Sequence, residues 1–227
     1  VAEGLRMCRE YKPDDVEILY ITENFGKQEE NKKRLRGFKF EFVTDEVMHY
    51  MADTKTPQGV LAVAKQKKCT LEDILKKTKT QKLLMILENI QDPGNLGMII
   101  RTADALGIDG IILCGCCDLY SPKVIRSTMG SVFRADIFIE NDENSLFEVL
   151  EKNGISSSAA VIDSDAQLLT KCSFEGAHAV FIGNEGNGLP SEVSKRCSRR
   201  IIIPMNGNIN SLNAAMAAGI IMWELRK

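Results

Sequence analysis

The 227-residue sequence lacks a long apolar run. Every hydrophobic stretch is shorter than the roughly 18 residues that a helix needs to cross a bilayer, and the chain does not start with a basic segment followed by an apolar one. We therefore expect neither a membrane span nor a secretory leader, and we expect a cytoplasmic protein. Internal repeats and low-complexity tracts are also missing, and the length suits one large domain or two modest ones.

Histidine is scarce, and the seven cysteines do not complete a metal site. The two histidines, His49 and His178, lie far from the Cys-x-x-Cys pair formed by Cys114 and Cys117. A structural zinc ion needs four ligands, and no second pair follows at the required spacing, so we expect no metal. An odd cysteine count also argues against the disulfide framework of a secreted protein. We expect reduced thiols, with Cys114 buried at the end of a strand.

A strong charge of either sign is also missing, because the net charge is −2. The distribution is uneven, since residues 1–80 carry 16 Lys and Arg against 14 Asp and Glu, whereas residues 81–227 carry 13 against 17. Clustered cations can meet phosphates, although such runs are more often solvated faces. The clusters are Lys32, Lys33 and Arg34 with Arg36; Lys65, Lys67 and Lys68; Lys76, Lys77 and Lys79; and Lys195, Arg196, Arg199 and Arg200.

The first third of the chain predicts a small α/β unit, with a helix at 5–11 and strands at 17–22 and 59–64. A polar, lysine-rich segment follows, with one short amphipathic element at 71–75. Such a composition is typical of a boundary between domains. We therefore predict an N-terminal domain at 1–66, a linker at 67–81 and a larger domain at 82–227.

In the larger domain, short apolar runs alternate with helix-length segments. This pattern predicts the α/β class, with a parallel sheet covered by helices on both faces. The last helix is apolar nearly all round, so it needs cover on more than one side. Core burial and a subunit interface anchored by Trp223 both remain open. The predicted strands are 83–87, 110–113, 159–162, 179–182 and 201–203, and the predicted helices are 96–106, 123–129, 145–153, 191–197 and 212–225.

The first of three polar segments is 89–97, which follows a predicted strand at the edge where open α/β sheets place ligands. Asn95 either caps the next helix or serves a ligand. Arg101 lies six residues later in a helix of mostly small or apolar residues, and Gly97 is expected to leave the face above it open. We expect this guanidinium beside the ligand pocket.

The other two segments follow the strands at 179–182 and 201–203. Three glycines at 183–188 permit close backbone approach to a ligand, but their order is not the dinucleotide fingerprint, and Glu185 would repel a pyrophosphate. The segment 203–213 is rich in amides that suit an adenine edge and ribose hydroxyls. Ser211 or Asn210 is able to cap the final helix.

Together, NIQDPGNLGMIIRTA, FIGNEGNGLP and IPMNGNINSLNAA resemble the three motifs of the SpoU/TrmH branch of the SPOUT methyltransferases, over residues 83–227. EGLRMCRE, ILYITE and TKTPQGVLAV are similar to the ribosomal-protein-like RNA-binding domain that precedes the catalytic domain in many members. The resemblance implies a parallel α/β sheet with a C-terminal deep trefoil knot, and a homodimer. It also implies that residues precede Val1, which begins inside the family's first strand.

The activity implied by the resemblance is transfer of a methyl group from S-adenosylmethionine to a ribose 2′-hydroxyl of structured RNA. The N-terminal domain favours ribosomal RNA, and no membrane or metal is implied. Three alternatives remain open: a transfer RNA 2′-O-methyltransferase, a non-catalytic RNA-binding paralogue, and an unrelated nucleotide-binding α/β enzyme such as a dehydrogenase.

The resemblance also assigns roles to residues. Because guanidinium stays protonated, we expect Arg101 to stabilise a developing alkoxide and not to act as a base. Ala214 and Ala215 depart from the Val-Ser of many members. The implied catalytic residues are Asn95, Arg101, Glu185, Ser211 and Asn213. The implied cofactor residues are Gly183, Asn184, Glu185, Gly186, Gly188, Leu189, Ile203, Pro204, Met205, Ser211, Leu212 and Asn213. The implied RNA-binding residues are Asn89, Arg101, Arg126, Ser127, Lys32, Lys33 and Arg34.

Overall fold

The computed structural model describes residues 1–76, 81–140, 142–206 and 211–227. Lys77, Lys79 and Asn210 lie outside these residues, as does the side chain of Lys32. Within the described part of the chain there are two β-sheets, one formed by residues 2–64 and the other by residues 83–202. None of the helices there has the length and apolar character needed to cross a bilayer.

The N-terminal sheet has four strands in the order β1-β4-β2-β3. The central pairs are antiparallel, and β3 lies parallel to β2 at the edge. The strands are β1 (Ala2–Glu3), β2 (Val16–Thr22), β3 (Phe40–Val43) and β4 (Val60–Ala64), and the helices are α1 (Leu5–Cys8), α2 (Glu23–Lys27), α3 (Glu29–Arg34) and α4 (Asp45–Met51).

Sequence and structure agree on two strands of this unit, because β2 and β4 confirm the predictions at 17–22 and 59–64. The predicted helix at 5–11 ends early, at Cys8. Strand β3 and helices α2 to α4 were not predicted. They are short, and β3 exposes most of its side chains, so it shows no buried apolar pattern.

The C-terminal sheet has seven strands, all parallel, in the order β7-β6-β5-β10-β8-β11-β9. This confirms the predicted α/β class with a parallel sheet. The strands are β5 (Leu83–Glu88), β6 (Gly110–Cys114), β7 (Ile137–Glu140), β8 (Ser156–Ala160), β9 (Gln167–Leu168), β10 (His178–Ile182) and β11 (Arg199–Ile202). The helices are α5 (Leu71–Leu75), α6 (Pro93–Leu106), α7 (Pro122–Thr128), α8 (Ser131–Arg134), α9 (Glu143–Lys152), α10 (Ser191–Arg196) and α11 (Ala214–Leu225).

One strand prediction in this sheet is misplaced. Strand β8 covers Ser156–Ala160, three residues before the predicted 159–162, and Ile162 is 64% exposed. The strand contains Ser157 and Ser158, which are buried because their hydroxyl groups have hydrogen-bond partners in the core. A search for apolar runs therefore passes over it. Strands β7 and β9 and helix α8 were also not predicted.

Alternate residues of β5 pack into two different hydrophobic clusters. Leu83, Met85 and Leu87 join a cluster with residues of α6, α7 and α11, whereas Leu84 and Ile86 join one with residues of α5, α9 and α10. Every residue of β5 is buried, because helices cover both faces of the sheet. The core of this unit therefore has two layers, one on each side.

Helix α5 belongs to the packed structure, although it lies inside the predicted linker. Leu71 and Ile74 are buried, and Ile74 packs so closely over Gly110 that an added Cβ there would lie 2.4 Å from it. A capping box formed by Thr70 and Asp73 starts the helix. Part of the predicted linker is thus fixed on the larger sheet.

The two sheets are held together through helices α7 and α8. Ile125 of α7 is buried in the hydrophobic cluster of the N-terminal unit, and Phe133 packs against Tyr11 with ring centroids 4.0 Å apart. Arg134 forms ion pairs with Glu10 and with Asp104. The N-terminal unit therefore has a defined orientation on the larger one.

Helix α11 is buried along one side and exposed along the other. Ala218, Ile221, Met222 and Leu225 lie in the core, but Trp223 is 60% exposed. Burial of Trp223 in the core of the same chain, one of the two options that the sequence left open, is therefore wrong.

Buried His178 makes the stability of the protein depend on pH. Burial, and next the cation of Arg199, lower the pKa of His178 to about 4. Its Nε2 lies 2.8 Å from Ser158 Oγ. In the unfolded chain the same imidazole takes up a proton near pH 6.5, so stability is complete above that pH and falls as the pH drops towards 4.

We therefore expect the free energy of unfolding to lose up to about 3 kcal/mol between pH 6.5 and pH 4 through this one group. Urea unfolding at several pH values measures the loss. In His178→Gln this part of the pH dependence should disappear, whereas the matched change at exposed His49, His49→Gln, should keep it. Equal slopes in all three proteins would contradict the assignment.

Candidate active site

Three polar loops meet at the carboxyl edge of the larger sheet. They follow β5, β10 and β11, and β5 and β10 are neighbours in the sheet. The carboxyl edge of a parallel sheet is where helix N-termini and strand ends leave room for a ligand. The loops come from distant parts of the chain, so only the fold brings them together.

Asn95 joins all three loops through its side-chain amide. Its Nδ2 donates to Glu185 Oε1 at 3.0 Å, and its Oδ1 accepts from Asn213 Nδ2 at 2.9 Å. One residue of the first loop thereby links the second and third loops. This hydrogen-bond chain, Asn213 to Asn95 to Glu185, is called the amide bridge below.

The structure places both helix caps on residues that the sequence did not indicate as caps. Helix α6 is capped by Asp92, whose carboxylate accepts from the backbone N–H of Asn95 at 2.8 Å, and Pro93 occupies the first helical position. Helix α11 is capped by Asn213 and not by Ser211, because Asn213 Oδ1 accepts from the N–H groups of Ala215 and Met216. The Asn95 side chain is thus available for the amide bridge.

Glu185 is held as a carboxylate at the start of α6. Burial tends to raise its pKa, but hydrogen bonds from Asn95 and from the backbone N–H groups of Asp92 and Gln91 outweigh burial and hold the pKa below its usual value. The positive end of the helix dipole favours the same charge. A general acid at this position is therefore disfavoured near neutral pH.

The second loop is a tight turn held by Asn184. Its Oδ1 accepts from the N–H groups of Gly186 and Asn187, and its Nδ2 donates to the carbonyl of Asn89 at 2.8 Å. The Asn184 and Gly188 backbones also pair in an isolated bridge. The loop is therefore shaped before any ligand arrives.

Two residues of the first loop support this arrangement. Asn89 adopts a left-handed conformation with φ of 56°, which asparagine tolerates better than most residues. Gln91 donates to Asn89 Oδ1 at 2.6 Å and to the carbonyl of Gly115 at 2.8 Å. The sequence alone assigns Gln91 no role, and its only signal there is its place inside the first motif.

A cavity of about 680 Å³ lies beside the three loops. Apolar residues that the three motifs did not predict, including Leu169 and Ile221, form part of its wall. Pro204 and Asn213 are not among its lining residues. Ten of the residues assigned to the cofactor line the cavity: Gly183, Asn184, Glu185, Gly186, Gly188, Leu189, Ile203, Met205, Ser211 and Leu212.

Arg101 does not lie in the wall of this cavity. Its side chain is exposed on α6, and among the described residues it makes no hydrogen bond or ion pair. The expectation that Gly97 opens the helix face above Arg101 is wrong. Gly97 is buried where α6 crosses α7, and a Cβ there would lie 2.3 Å from Ser127 Cβ.

The predicted RNA-binding residues are spread over two surfaces. Arg126 pairs with Asp53 of the N-terminal unit, and Ser127 donates to the carbonyl of Lys123 at 2.8 Å. Lys33 and Arg34 lie on α3, where Lys33 is exposed and Arg34 pairs with Glu30. Asn89 and Arg101, described above, belong to the larger unit.

Two cations of the last basic cluster are engaged inside the protein. Arg199 lies over the Phe174 ring and donates to Ser158 Oγ at 3.0 Å. Arg200 forms ion pairs with Asp163 and Asp165. A contact of these two guanidinium groups with RNA phosphates would have to break these interactions.

Comparison with known proteins gives two family matches. The SpoU rRNA Methylase family matches residues 82–223, and the family described as RNA 2′-O ribose methyltransferase substrate binding matches residues 2–69. A tRNA/rRNA methyltransferase of Synechocystis, whose function is uncharacterized, is 36% identical over 82% of this chain and 66% of its own length. The 23S rRNA (guanosine(2553)-2′-O)-methyltransferase RlmP of Bacillus subtilis is 29% identical over 84% of this chain and 73% of its own.

A solved structure extends the likeness to the whole chain. The SpoU methyltransferase AviRb of Streptomyces viridochromogenes, in complex with the cofactor AdoMet, superposes with a TM-score of 0.86 at 26% identity. The match covers 99% of this chain and 88% of that one. By contrast, this chain spans about two thirds to three quarters of the two curated relatives above.

Gly183 leaves no room for a side chain. An added Cβ would lie 2.3 Å from the backbone of Gly188 and Leu189, whereas at Gly186 its nearest contact would be 3.5 Å away. We expect Gly183→Ala to lower the free energy of unfolding by about 1–3 kcal/mol, because the turn must shift. Urea unfolding measures this, with Gly186→Ala as the matched control that stays near wild type. Equal stability of the two variants would show that the turn yields freely.

Proposed function

The chain belongs to the SpoU rRNA methylase family, and we propose that it transfers a methyl group from S-adenosylmethionine to a ribose 2′-hydroxyl of structured RNA. The amide bridge carries this proposal, since it fixes three loops of different strands around one cavity. We propose ribosomal RNA as the substrate, because the chain also matches an RNA substrate-binding family over residues 2–69. Transfer RNA is the alternative.

The residues around the cavity suit S-adenosylmethionine. The Gly183 turn lets backbone come close to a ligand, and Leu189, Ile203 and Leu212 offer apolar contacts to an adenine ring. The ionised Glu185 disfavours a phosphate and tolerates a cationic ligand. When bound, S-adenosylmethionine supplies an electrophilic methyl group. We propose that the ten cavity-lining residues given above hold it, with Pro204 setting the path of the chain between Ile203 and Met205.

The amide bridge has a positioning role in this proposal. Both polar atoms of the Asn95 amide are already used, so Asn95 fixes Glu185 and Asn213 and does not transfer a proton. Ser211 lines the cavity and is exposed, which leaves its hydroxyl available to the RNA ribose. Correct placement of two reacting groups accounts for much of the rate of such a transfer.

We propose that Arg101 acts on the RNA and not on the cofactor. Its guanidinium is exposed and lies outside the cavity wall. A cation in this position can bind a phosphate next to the reacting ribose and stabilise the negative charge that grows on the 2′-oxygen. Because guanidinium stays protonated, Arg101 does not remove the proton itself.

We further propose a homodimer formed through α11. Met216, Ile220 and Trp223 are exposed at helical spacing on one side of α11, and Met98 is exposed on α6, the helix that packs against it. A contiguous exposed apolar stripe of this kind is a typical subunit interface.

We also propose the family's trefoil knot for the segment from β10 to α11. Two observations support the knot. Strand β8 lies between β10 and β11 in the sheet, and α11 packs against α6.

Transfer of a labelled methyl group from S-adenosylmethionine to ribosomal RNA tests the proposed activity. We expect the wild type to label RNA on the ribose, Arg101→Lys to keep a measurable fraction of the rate, and Arg101→Ala to lose on the order of 100-fold. Lys152→Ala is the control and should keep the wild-type rate, because it removes an exposed cation of α9, which packs on the opposite face of the sheet from α6. RNA retention without labelling would favour the non-catalytic alternative, and a fully active Arg101→Ala would remove Arg101 from the mechanism.

Sedimentation at several concentrations tests the dimer. We expect Trp223→Glu to raise the dissociation constant of the dimer on the order of tenfold or more, because it places a charge in an apolar interface. Tyr50→Glu, which changes an aromatic residue that is 93% exposed on α4, should leave the dissociation constant unchanged. A wild type that sediments as a monomer at all concentrations contradicts the dimer.

A further inference from the structure

A second cavity lies in the N-terminal unit, against the edge strand β3. It has a volume of about 510 Å³ and is open on one side. Ile21 and Leu35 form part of its apolar lining, and Phe38 continues it. Phe40 and Phe42 of β3 complete the wall. This cavity is called the β3 groove below.

The two phenyl rings of β3 are exposed side by side. Phe40 is 44% and Phe42 is 60% exposed, and as alternate residues of one strand they lie on the same face. Their centroids are 5.6 Å apart at 84°, so the edge of one ring meets the face of the other and the two rings are not stacked. Phe42 also lies over Gly26, where an added Cβ would be 2.8 Å from the ring. The groove therefore offers aromatic faces to an incoming planar group.

The rim of the groove is cationic. Lys33 and Arg36 line it and are exposed, and neither is in an ion pair among the described residues. None of the described residues that line the groove is acidic. The carboxylate of Glu41 lies on the opposite face of β3, since its residue alternates with Phe40 and Phe42. The groove thus combines aromatic faces with positive charge and no opposing negative charge.

We propose that the β3 groove binds an unpaired base of the RNA, stacked on Phe40 or Phe42, while Lys33 and Arg36 contact the flanking phosphates. Single-stranded RNA is recognised by this combination of aromatic stacking and basic residues. A protein partner that paired with the β3 edge would gain nothing from the two cations unless it were acidic. The inference rests on the proposed function for the identity of the nucleic acid, and it adds a site away from the cavity of the larger unit.

The probe is a single-stranded 12-nucleotide adenosine oligoribonucleotide with one 2-aminopurine, whose fluorescence reports stacking. Stacking on an aromatic ring tolerates every base, so the probe needs no particular recognition sequence. We expect Phe42→Ala, and separately Phe40→Ala, to weaken binding about tenfold and to reduce the fluorescence change. Phe42→Leu keeps an apolar side chain but no ring, and it should resemble Phe42→Ala. Tyr50→Ala removes an exposed ring outside the groove and should bind like the wild type.

The salt dependence of binding tests the roles of Lys33 and Arg36. We expect Lys33→Ala and Arg36→Ala each to lower the slope of binding against salt concentration by about 0.7, the value for one phosphate contact on a single strand. A fully paired duplex of the same length should bind without sensitivity to Phe42→Ala, since its bases are already stacked with each other. Circular dichroism confirms that each variant is folded.

The outcomes separate this inference from the proposed activity. If Phe40 and Phe42 variants bind the oligonucleotide like Tyr50→Ala, the β3 groove is not a base site, whether or not the wild type methylates RNA. If these variants lose binding and fluorescence while the wild type transfers no methyl group, the groove stands and the proposed activity fails. If Phe42→Ala changes only the sedimentation of the protein, the groove is a contact between copies and the inference is overturned.

Discussion

The Asn95 amide is the interaction on which the rest of the site depends. A side-chain amide has a donor at one end and an acceptor at the other, so a single residue can join a carboxylate and a second amide. Asn95 does this between Glu185 and Asn213, and it is held in place because its own N–H is bound by Asp92. The three loops therefore keep one geometry. Without that link, the third loop would lose its hydrogen bond to the first, and among the described residues only Asn184 and the backbone N–H groups of Gln91 and Asp92 would join the first two loops.

The negative charge of Glu185 is stabilised by backbone groups at the start of α6. Glu185 is exposed, and the desolvation that it does undergo disfavours its ionised form, yet it faces the start of α6 and two backbone N–H groups. No Lys or Arg is needed beside it, so Arg101 is left exposed for another task. The separation of a helix-stabilised anion from an uncommitted cation is the electrostatic pattern of the site.

The sequence predicted what depends on local pattern. The parallel sheet followed from continuous apolar strands such as Leu83–Glu88, and the three loops followed from glycine and asparagine after strands. Strand β8 was misplaced because its serines find partners only in the folded core, Ser158 with His178 among them. The roles of Asn95 and Gly97 were also beyond prediction, since they depend on contacts with residues more than 25 positions away. The same holds for Arg101, whose position relative to the cavity is set by the rotation of α6.

Contacts between the two units fix the position of the N-terminal unit relative to the larger sheet. Its hydrophobic cluster takes in Ile125 of α7, and Arg134 of α8 binds Glu10. Because apolar and ionic contacts both hold it in place, the N-terminal unit does not move independently of the larger unit. An RNA that touches the β3 groove and the large cavity together must bridge a set span between them. The distance between the two sites would then determine which nucleotide reaches the large cavity. The identity of the base of that nucleotide would not.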